Sequence, residues 1–348
     1  MHSTRKLAFS LAAVALAAAA CSSSGSPSSS ASAADPVKVT ISVSNVTNQT
    51  YLSLVLAQQL GYFKQQGIDL TISNVTTGNA SFTAMVAGQV PCVVGFYDHN
   101  IDLRAKGEST ESVIQLNQAP GMVILVNQNE TSSITSPAQL AGKKVGITGT
   151  GSSTQFVLDA VAARSGVAVN TIKPVNVAAG STFVAAFQQN TVDAGVTTEP
   201  TISALLNKHA ASILVDLRTV SNTQAALGGP YPGSAMTCMT SYVNAHTATV
   251  QKMVNALHES LVYIQQHSAA QITDAIPASY YGSAGKTAYT QSLANEIGIF
   301  SPTGLMPSDG PQSVNKILSS FDTTVEGKTV DLSQTYTNKF VQNAASSS

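Results

Sequence analysis

From residue 37 onward the chain alternates short apolar runs with stretches whose apolar residues recur every three or four positions. Residues 37–43 are β-rich. In 51–60, Leu52, Val55, Leu56 and Leu60 fall on one helical face, and Gly61 then offers a natural helix stop. A strand is predicted over 68–73, a helix over 79–87 ending at Gly88, and strands over 92–96 and 113–116. The rhythm restarts after 122–126. Ser136-Pro137 supplies a capping hydroxyl and then a proline at the first helical position. Strands follow over 144–148, 172–177, 193–197 and 213–217, with helices over 153–165, 181–189 and 200–208. Gly228-Gly229-Pro230-Tyr231-Pro232-Gly233 breaks the series, a strand over 234–240 leads into a long helix over 246–267, and mostly helical sequence completes the chain. Such alternation predicts parallel sheets covered by helices, an α/β architecture. The simplest organisation has two α/β units, the chain entering the second and returning to the first.

Composition narrows the partners. Of 348 residues 43% are hydrophobic and only 10% charged, where an ordinary domain carries about 25% charged residues. The apolar fraction excludes a wholly disordered chain, and the length is ample for a real core. A net charge of −1 leaves no basic field, which excludes nucleic acid as a partner held through phosphates. The polar surface must come from Ser, Thr, Asn and Gln.

The first 34 residues carry a different signal. Arg5 and Lys6 precede an apolar run, 7–20, too short for an ordinary spanning helix, and Cys21 and Ser/Gly/Pro-rich sequence follow. This resembles a bacterial lipoprotein signal, which implies cleavage of 1–20, lipidation of Cys21 and an extracytoplasmic, lipid-anchored protein. Ala18 departs from that pattern, which prefers Leu three residues before the cysteine. A cut near Ala31-Ser32-Ala33 is the competing reading. Residues 21–36 read as a flexible tether. Removal of 1–20 leaves 15 basic against 18 acidic residues.

Enzyme motifs fail one by one. Three cysteines without a Cys-x-x-Cys pair do not make the usual zinc site, and no metal or other cofactor is implied. Cys92 and Cys238 lie in apolar strands and read first as two buried thiols; a disulfide is the alternative if those strands are neighbours. His258-Glu259 begins a helical zinc motif, but Val262 stands where its second histidine belongs. No G-x-S-x-G elbow occurs. Gly149-Thr150-Gly151-Ser152-Ser153-Thr154, between a strand and a helix, lets backbone approach a ligand and offers helix N–H groups to an anion or polar oxygen. Thr154 replaces the third glycine of a dinucleotide fingerprint, and no acidic residue follows between Asp159 and Asp193. An ordinary capped helix is the plain alternative. Equivalent loops lie at Asn48–Thr50, 77–79, 95–99 and 198–200. Ligands bind outside the carboxyl ends of strands in open α/β sheets, so these loops together predict a cleft.

The residues then resemble a known family. Gly61-Tyr62-Phe63-Lys64 with Gly67-Ile68-Asp69-Leu70 is similar to a segment of periplasmic solute-binding proteins. Ala87-Gly88-Gln89-Val90 matches the step that follows, with Pro91 in place of the usual Asp. Residues 136–146, Gly151–Thr154 and 188–194 with Glu199-Pro200 add further matches. The resemblance, from about 39 to 264, is to the sulfonate/nitrate/taurine-binding family, which includes thiamine-pyrimidine-precursor binders. It implies a two-lobed type II periplasmic-binding fold, lobe 1 over 37–122 and 236–348, lobe 2 over 123–235, with hinge crossings near 120–126 and 231–239. It also implies a monomeric receptor that closes over a small solute and hands it to an ABC permease. Gly151, Ser152, Ser153 and Thr154 are expected to bind oxygen from lobe 2. Asn48, Thr50, Gly78, Asn79, Tyr97, Asp98 and His99 are expected to act from lobe 1, with Glu199 and Tyr231 closing the site. Sheet packing is the alternative role for Tyr97, and helix capping for Asp98 and His99. No arginine lies in these loops, which disfavours a dianion. A monoanion such as an aliphatic sulfonate is the first expectation; an amine or aminopyrimidine on Asp98 and Glu199 is the second. An enzyme making the thiamine pyrimidine is disfavoured, because its cysteine-rich motif is missing. A receptor that serves a membrane sensor remains open.

Overall fold

The computed structural model describes residues 35–346. The expected signal 1–20, Cys21 and the tether as far as residue 34 lie outside the described residues. From Pro36 on, the chain forms one body that holds two five-stranded sheets. The first is built from β1 (Val37–Ser44), β2 (Ile68–Val75), β3 (Cys92–Phe96) and β4 (Thr110–Gln115). Its helices are α1 (Leu52–Gln59), α2 (Tyr62–Gln65), α3 (Gly78–Val86) and α4 (Asp98–Ala105). The second sheet takes β5 (Met122–Asn127), β6 (Lys144–Ile147), β7 (Lys173–Asn176), β8 (Ala194–Thr198) and β9 (Ala211–Leu217). Its helices are α5 (Ser153–Arg164), α6 (Ser181–Gln188), α7 (Thr201–Asn207) and α8 (Val220–Leu227). The chain then returns as β10 (Ser234–Met239) to the first sheet and ends in α9 (Thr240–Ala245), α10 (Thr247–Gln266), α11 (Ala269–Asp274), α12 (Gly285–Glu296), α13 (Gly310–Leu318) and α14 (Lys339–Ala345).

Strand order is β2-β1-β3-β10-β4 in the first sheet and β7-β6-β8-β5-β9 in the second. The sheets are mixed where parallel ones were expected: β10 runs antiparallel to β3 and β4, and β5 antiparallel to β8 and β9. β5 follows β4 of the other sheet with no helix between them, and β10 comes back from α8 of the second lobe through the crossing 228–233, so neither strand is set by a crossover helix within its own sheet. Helices cover both faces, so strands read as continuous apolar runs. All five residues of β3 are buried, with Cys92, Val94 and Phe96 in the main core and Val93 packed on Phe82 and Met85. In β5, Ile124 faces that main core, while Val123 and Leu125 meet Phe183, Phe187 and Leu205 on the opposite side.

Two segments join the lobes, 116–121 and 228–233, so most of the ranges expected for the crossings fall inside β5 and β10. They are tied side by side: the Gly233 N–H donates to the Asn117 carbonyl (2.8 Å) and the Asn117 N–H to the Ser234 carbonyl (3.0 Å). A Cβ on Gly233 would lie 2.5 Å from the Ala119 carbonyl oxygen, so only glycine lets the crossings touch. Local differences are also clear. Ser136-Pro137 opens a 3-10 turn, Pro137–Leu140, closed by a capping box with Gln139 and not extended into an α-helix. Helix α8, capped by Thr219 and stopped by Gly228 in the left-handed region, was not foreseen, because its apolar residues cluster at its end. Among the described residues no helix is long and apolar enough to cross a membrane.

Cys92 and Cys238 face each other across β3 and β10 and form a disulfide, which corrects the first reading of two free thiols. The sequence could not decide this, because the bond joins residues 146 positions apart that only the strand order makes neighbours. It ties the returning strand to the first sheet. Alkylation without reduction is therefore expected to label neither cysteine. Replacing both with alanine should remove roughly 2–4 kcal/mol of stability, read as a lower denaturant midpoint.

Candidate functional site

The carboxyl ends of β1, β2 and β3 from one lobe meet those of β6 and β8 from the other around a narrow pocket of about 30 Å³. Wider mouths open on either side, one of about 250 Å³ beside Asn45, Asn48 and Ala179, the other of about 740 Å³ beside Thr77, Gly149 and Asn176. From lobe 1 the pocket receives Ser44, Asn45, Asn48, Tyr51, Thr76, Thr77, Gly78, Phe96 and His99. Lobe 2 contributes Thr148, Ser152, Ser153, Thr154, Ala179 and Thr198, and Met122 stands at the start of β5. No Lys, Arg, Asp or Glu lines it.

Local folding explains these positions. Thr77 caps α3 by accepting the Ala80 N–H at 3.2 Å, which leaves the N–H groups of Gly78 and Asn79 without a helical acceptor. At α5 the hydroxyls of Thr148, Ser152 and Thr154 form a closed cluster, with Ser152 and Thr154 oxygens 2.7 Å apart and the Thr148 N–H donating to Thr154 at 3.0 Å. Their oxygens are spent on one another. What α5 still offers is backbone: among the described residues the N–H groups of Ser153 and Thr154 make no backbone hydrogen bond. Among the described residues, two buried side-chain atoms on pocket-lining residues have no hydrogen-bond partner, Nε2 of His99 from lobe 1 and Oγ1 of Thr198 from lobe 2.

The lobes meet closely here. A Cβ on Gly149 would stand 2.6 Å from Cγ2 of Thr77, so glycine at this position lets the two walls touch. Ser153 Oγ donates to Asp98 Oδ1 across the cleft at 2.7 Å. Asp98 also accepts from Tyr231 OH (2.8 Å) and the His99 N–H (2.7 Å), and it is fully buried. Burial pushes its carboxyl up to about 6, against the pull of those hydrogen bonds. His99, packed at a tilt against Phe82 with ring centres 4.5 Å apart, is pushed down to about 4 by burial and so is neutral at pH 7.

Of the residues singled out in the sequence, Asn48, Gly78, His99, Ser152, Ser153 and Thr154 line the pocket. Seven others do not, and each has another partner. Tyr97 is buried with its hydroxyl on Thr335, which is the packing role given as its alternative. Asp98 and Tyr231 bond each other behind the wall. Thr50 sits at the first crossing, its methyl group 3.1 Å from where a Cβ on Gly121 would stand and its carbonyl accepting from Asn117. Asn79 and Gly151 face each other at the rim, and the Gly151 N–H is taken by Gln155 at 2.8 Å. Glu199 is buried in an ion pair with Arg218 at 3.2 Å and accepts from Ser203. Beside it Glu296 is pushed well above the ordinary range by burial, then by the charge of Glu199.

The sequence reading missed Ser44, Thr76 and Thr148, and it had Thr198 only within the loop 198–200 and not among the expected ligand residues. Each ends a strand or directly follows one, a signal that was applied to the loops and not to the last strand residues. Phe96 lay within the loop 95–99 without being singled out, while Tyr51 and Met122 fall outside every predicted loop and are turned toward the pocket by tertiary packing.

Comparison with solved structures shows the same two-lobed fold. A protein of Bordetella bronchiseptica RB50 is 29% identical with a TM-score of 0.86, covering 90% of this chain and 98% of that one. The alkanesulfonate-binding protein SsuA of Xanthomonas axonopodis pv. citri, solved with MOPS, is 19% identical with a TM-score of 0.68 over 88% of this chain and all of that one (100%). The nitrate-binding protein NrtA of Synechocystis is 11% identical with a TM-score of 0.70, covering 90% of this chain and 89% of that one. Among curated proteins, a 4-amino-5-hydroxymethyl-2-methylpyrimidine phosphate synthase of Legionella pneumophila is 26% identical over 164 residues. That match covers 46% of this chain, which spans about half the length of the relative (48%). The NMT1/THI5-like family model matches residues 48–270, well over half of the chain, and the protein belongs to that family.

Proposed function

We propose that this protein is the extracytoplasmic solute-binding component of an ABC importer, a monomer anchored through lipidated Cys21, which captures a small organic solute by closing its lobes. The observation that carries the reading is the pair of buried, unpartnered polar atoms, His99 Nε2 and Thr198 Oγ1, on walls contributed by opposite lobes. An unmet buried polar group costs roughly 1–3 kcal/mol, so a solute that bonds both is favoured by the closed state. Aromatic Tyr51 and Phe96 add apolar contact, and a few polar groups fix orientation. The charge-free lining favours a solute without multiple charges. The open N–H groups at the starts of α3 and α5 suit a monoanion of the sulfonate or nitrate kind. An aminopyrimidine is the second reading, favoured by the aromatic wall and by the name of the curated relative. Binding without chemistry fits a body whose two cysteines are joined to each other.

A thermal-shift panel of sulfonates, nitrate, aminopyrimidines and neutral amides tests this. A solute at about 100 times its Kd should stabilise the protein by about 2.7 kcal/mol. No shift across the panel removes the solute-receptor reading. Closure has its own test in Gly149→Val. The added side chain meets Thr77 only when the lobes close, and overpacking costs about 1–3 kcal/mol. Affinity should fall roughly five- to hundredfold, while the melting temperature without solute stays near that of the wild type. The neutral pocket is checked by NMR: the His99 imidazole should titrate near pH 4, where an unperturbed histidine titrates near ~6.5.

A further inference from the structure

Asp98 occupies a place that no binding role explains. It begins α4, is fully buried, and has no cation among its partners: its carboxylate is held by Tyr231 OH, the His99 N–H and, from the other lobe, Ser153 Oγ. Ser153 is the first residue of α5, whose free N–H groups are the feature of lobe 2 best suited to an anion. The protein therefore brings its own carboxylate to that helix start when the lobes meet. No Lys or Arg lines the pocket, and Arg218 is engaged by Glu199 and by Asp216 at 2.6 Å. His99, the adjacent wall residue, is an uncharged ring.

We propose that Asp98 determines specificity in the cleft: its carboxylate, seated on Ser153 at the start of α5 by lobe closure, selects against anionic solutes and for uncharged or cationic ones. The inference rests on the cleft being a solute site; of the two solute classes named for it above, it decides against the sulfonate- or nitrate-like monoanion and for the aminopyrimidine or another uncharged or cationic solute. The physical reason is like-charge repulsion in a place with little water and no positive side chain to offset it. An anion at the Ser153 and Thr154 N–H groups would share one helix start with a carboxylate that cannot move away, because Tyr231 and its own backbone fix it. A neutral solute meets no such cost and can still accept from the same N–H groups. Ser153 Oγ is thereby a closure contact and not a ligand donor.

The test compares two probes of one shape, ethanesulfonate and the uncharged ethanesulfonamide, by calorimetry on the mature protein. Wild type is expected to bind the sulfonamide at least about tenfold more tightly than the sulfonate. Asp98→Asn keeps size and hydrogen bonding while removing the charge, and should bring the two affinities to within about threefold by gaining sulfonate binding. Ser153→Ala keeps the charge and should retain the preference for the sulfonamide. Equal or tighter sulfonate binding by wild type overturns the proposal. So does an unchanged ratio in a folded Asp98→Asn protein, or no binding of either probe by either protein. If Asp98→Asn shows no cooperative melt, the wild-type ratio alone decides. Failure of the underlying reading looks different: no solute of the wider panel protects wild type or variant.

Discussion

The return of β10 into the first sheet is the constraint on which the rest of the structure depends. The chain leaves that sheet after β4, builds a second sheet, and comes back antiparallel between β3 and β4. That one insertion creates two crossings in place of one, and hydrogen bonds between Asn117, Gly233 and Ser234 clamp them side by side. A pair of tied crossings restrains the lobes from drifting apart more than a single crossing would. The Cys92–Cys238 bond fastens the inserted strand beside β3, whose carboxyl end carries Phe96 into the pocket.

Electrostatics in the cleft follows from how the charged residues are disposed of. Three carboxylates near it are buried: Asp98 on three donors, Glu199 on Arg218 and Ser203, and Glu296, pushed above its ordinary range by burial. One guanidinium serves Glu199 and Asp216 together, and no Lys or Arg lines the pocket. The pocket is left to hydroxyls, amides, aromatic rings and open N–H groups at helix starts. Low charge in the sequence thus becomes a property of the site.

Much of this was legible beforehand. Strand β3 was placed to the residue, because a run of apolar residues between Pro91 and Tyr97 has no helical alternative of that length. Helices α3 and α5 came within a residue or two, since Gly78 and the Ser152–Thr154 run signal helix starts locally. The approximate site was also legible, as turns after strands gave Asn48, Gly78, His99 and Ser152–Thr154. The expected ligand residues that do not line the pocket share a cause. Asp98, Glu199 and Tyr231 looked like ligand groups because polar residues in loops invite that reading. Their true partners, Ser153, Arg218 and each other, lie 55, 19 and 133 positions away.

The sequence by itself determined the alternation of elements, the family and the neutral, hydroxyl-rich character of the loops. These depend on spacing and residue type over a few neighbouring positions, where period and capping act. Tertiary structure alone decided that the sheets are mixed, that Cys92 meets Cys238, and that Asp98 reaches across the cleft to Ser153. Those outcomes depend on which strands lie side by side and on which polar groups must find a partner once water is gone. That choice is made only when distant segments pack, because an unpaired buried group takes whichever donor the fold brings near.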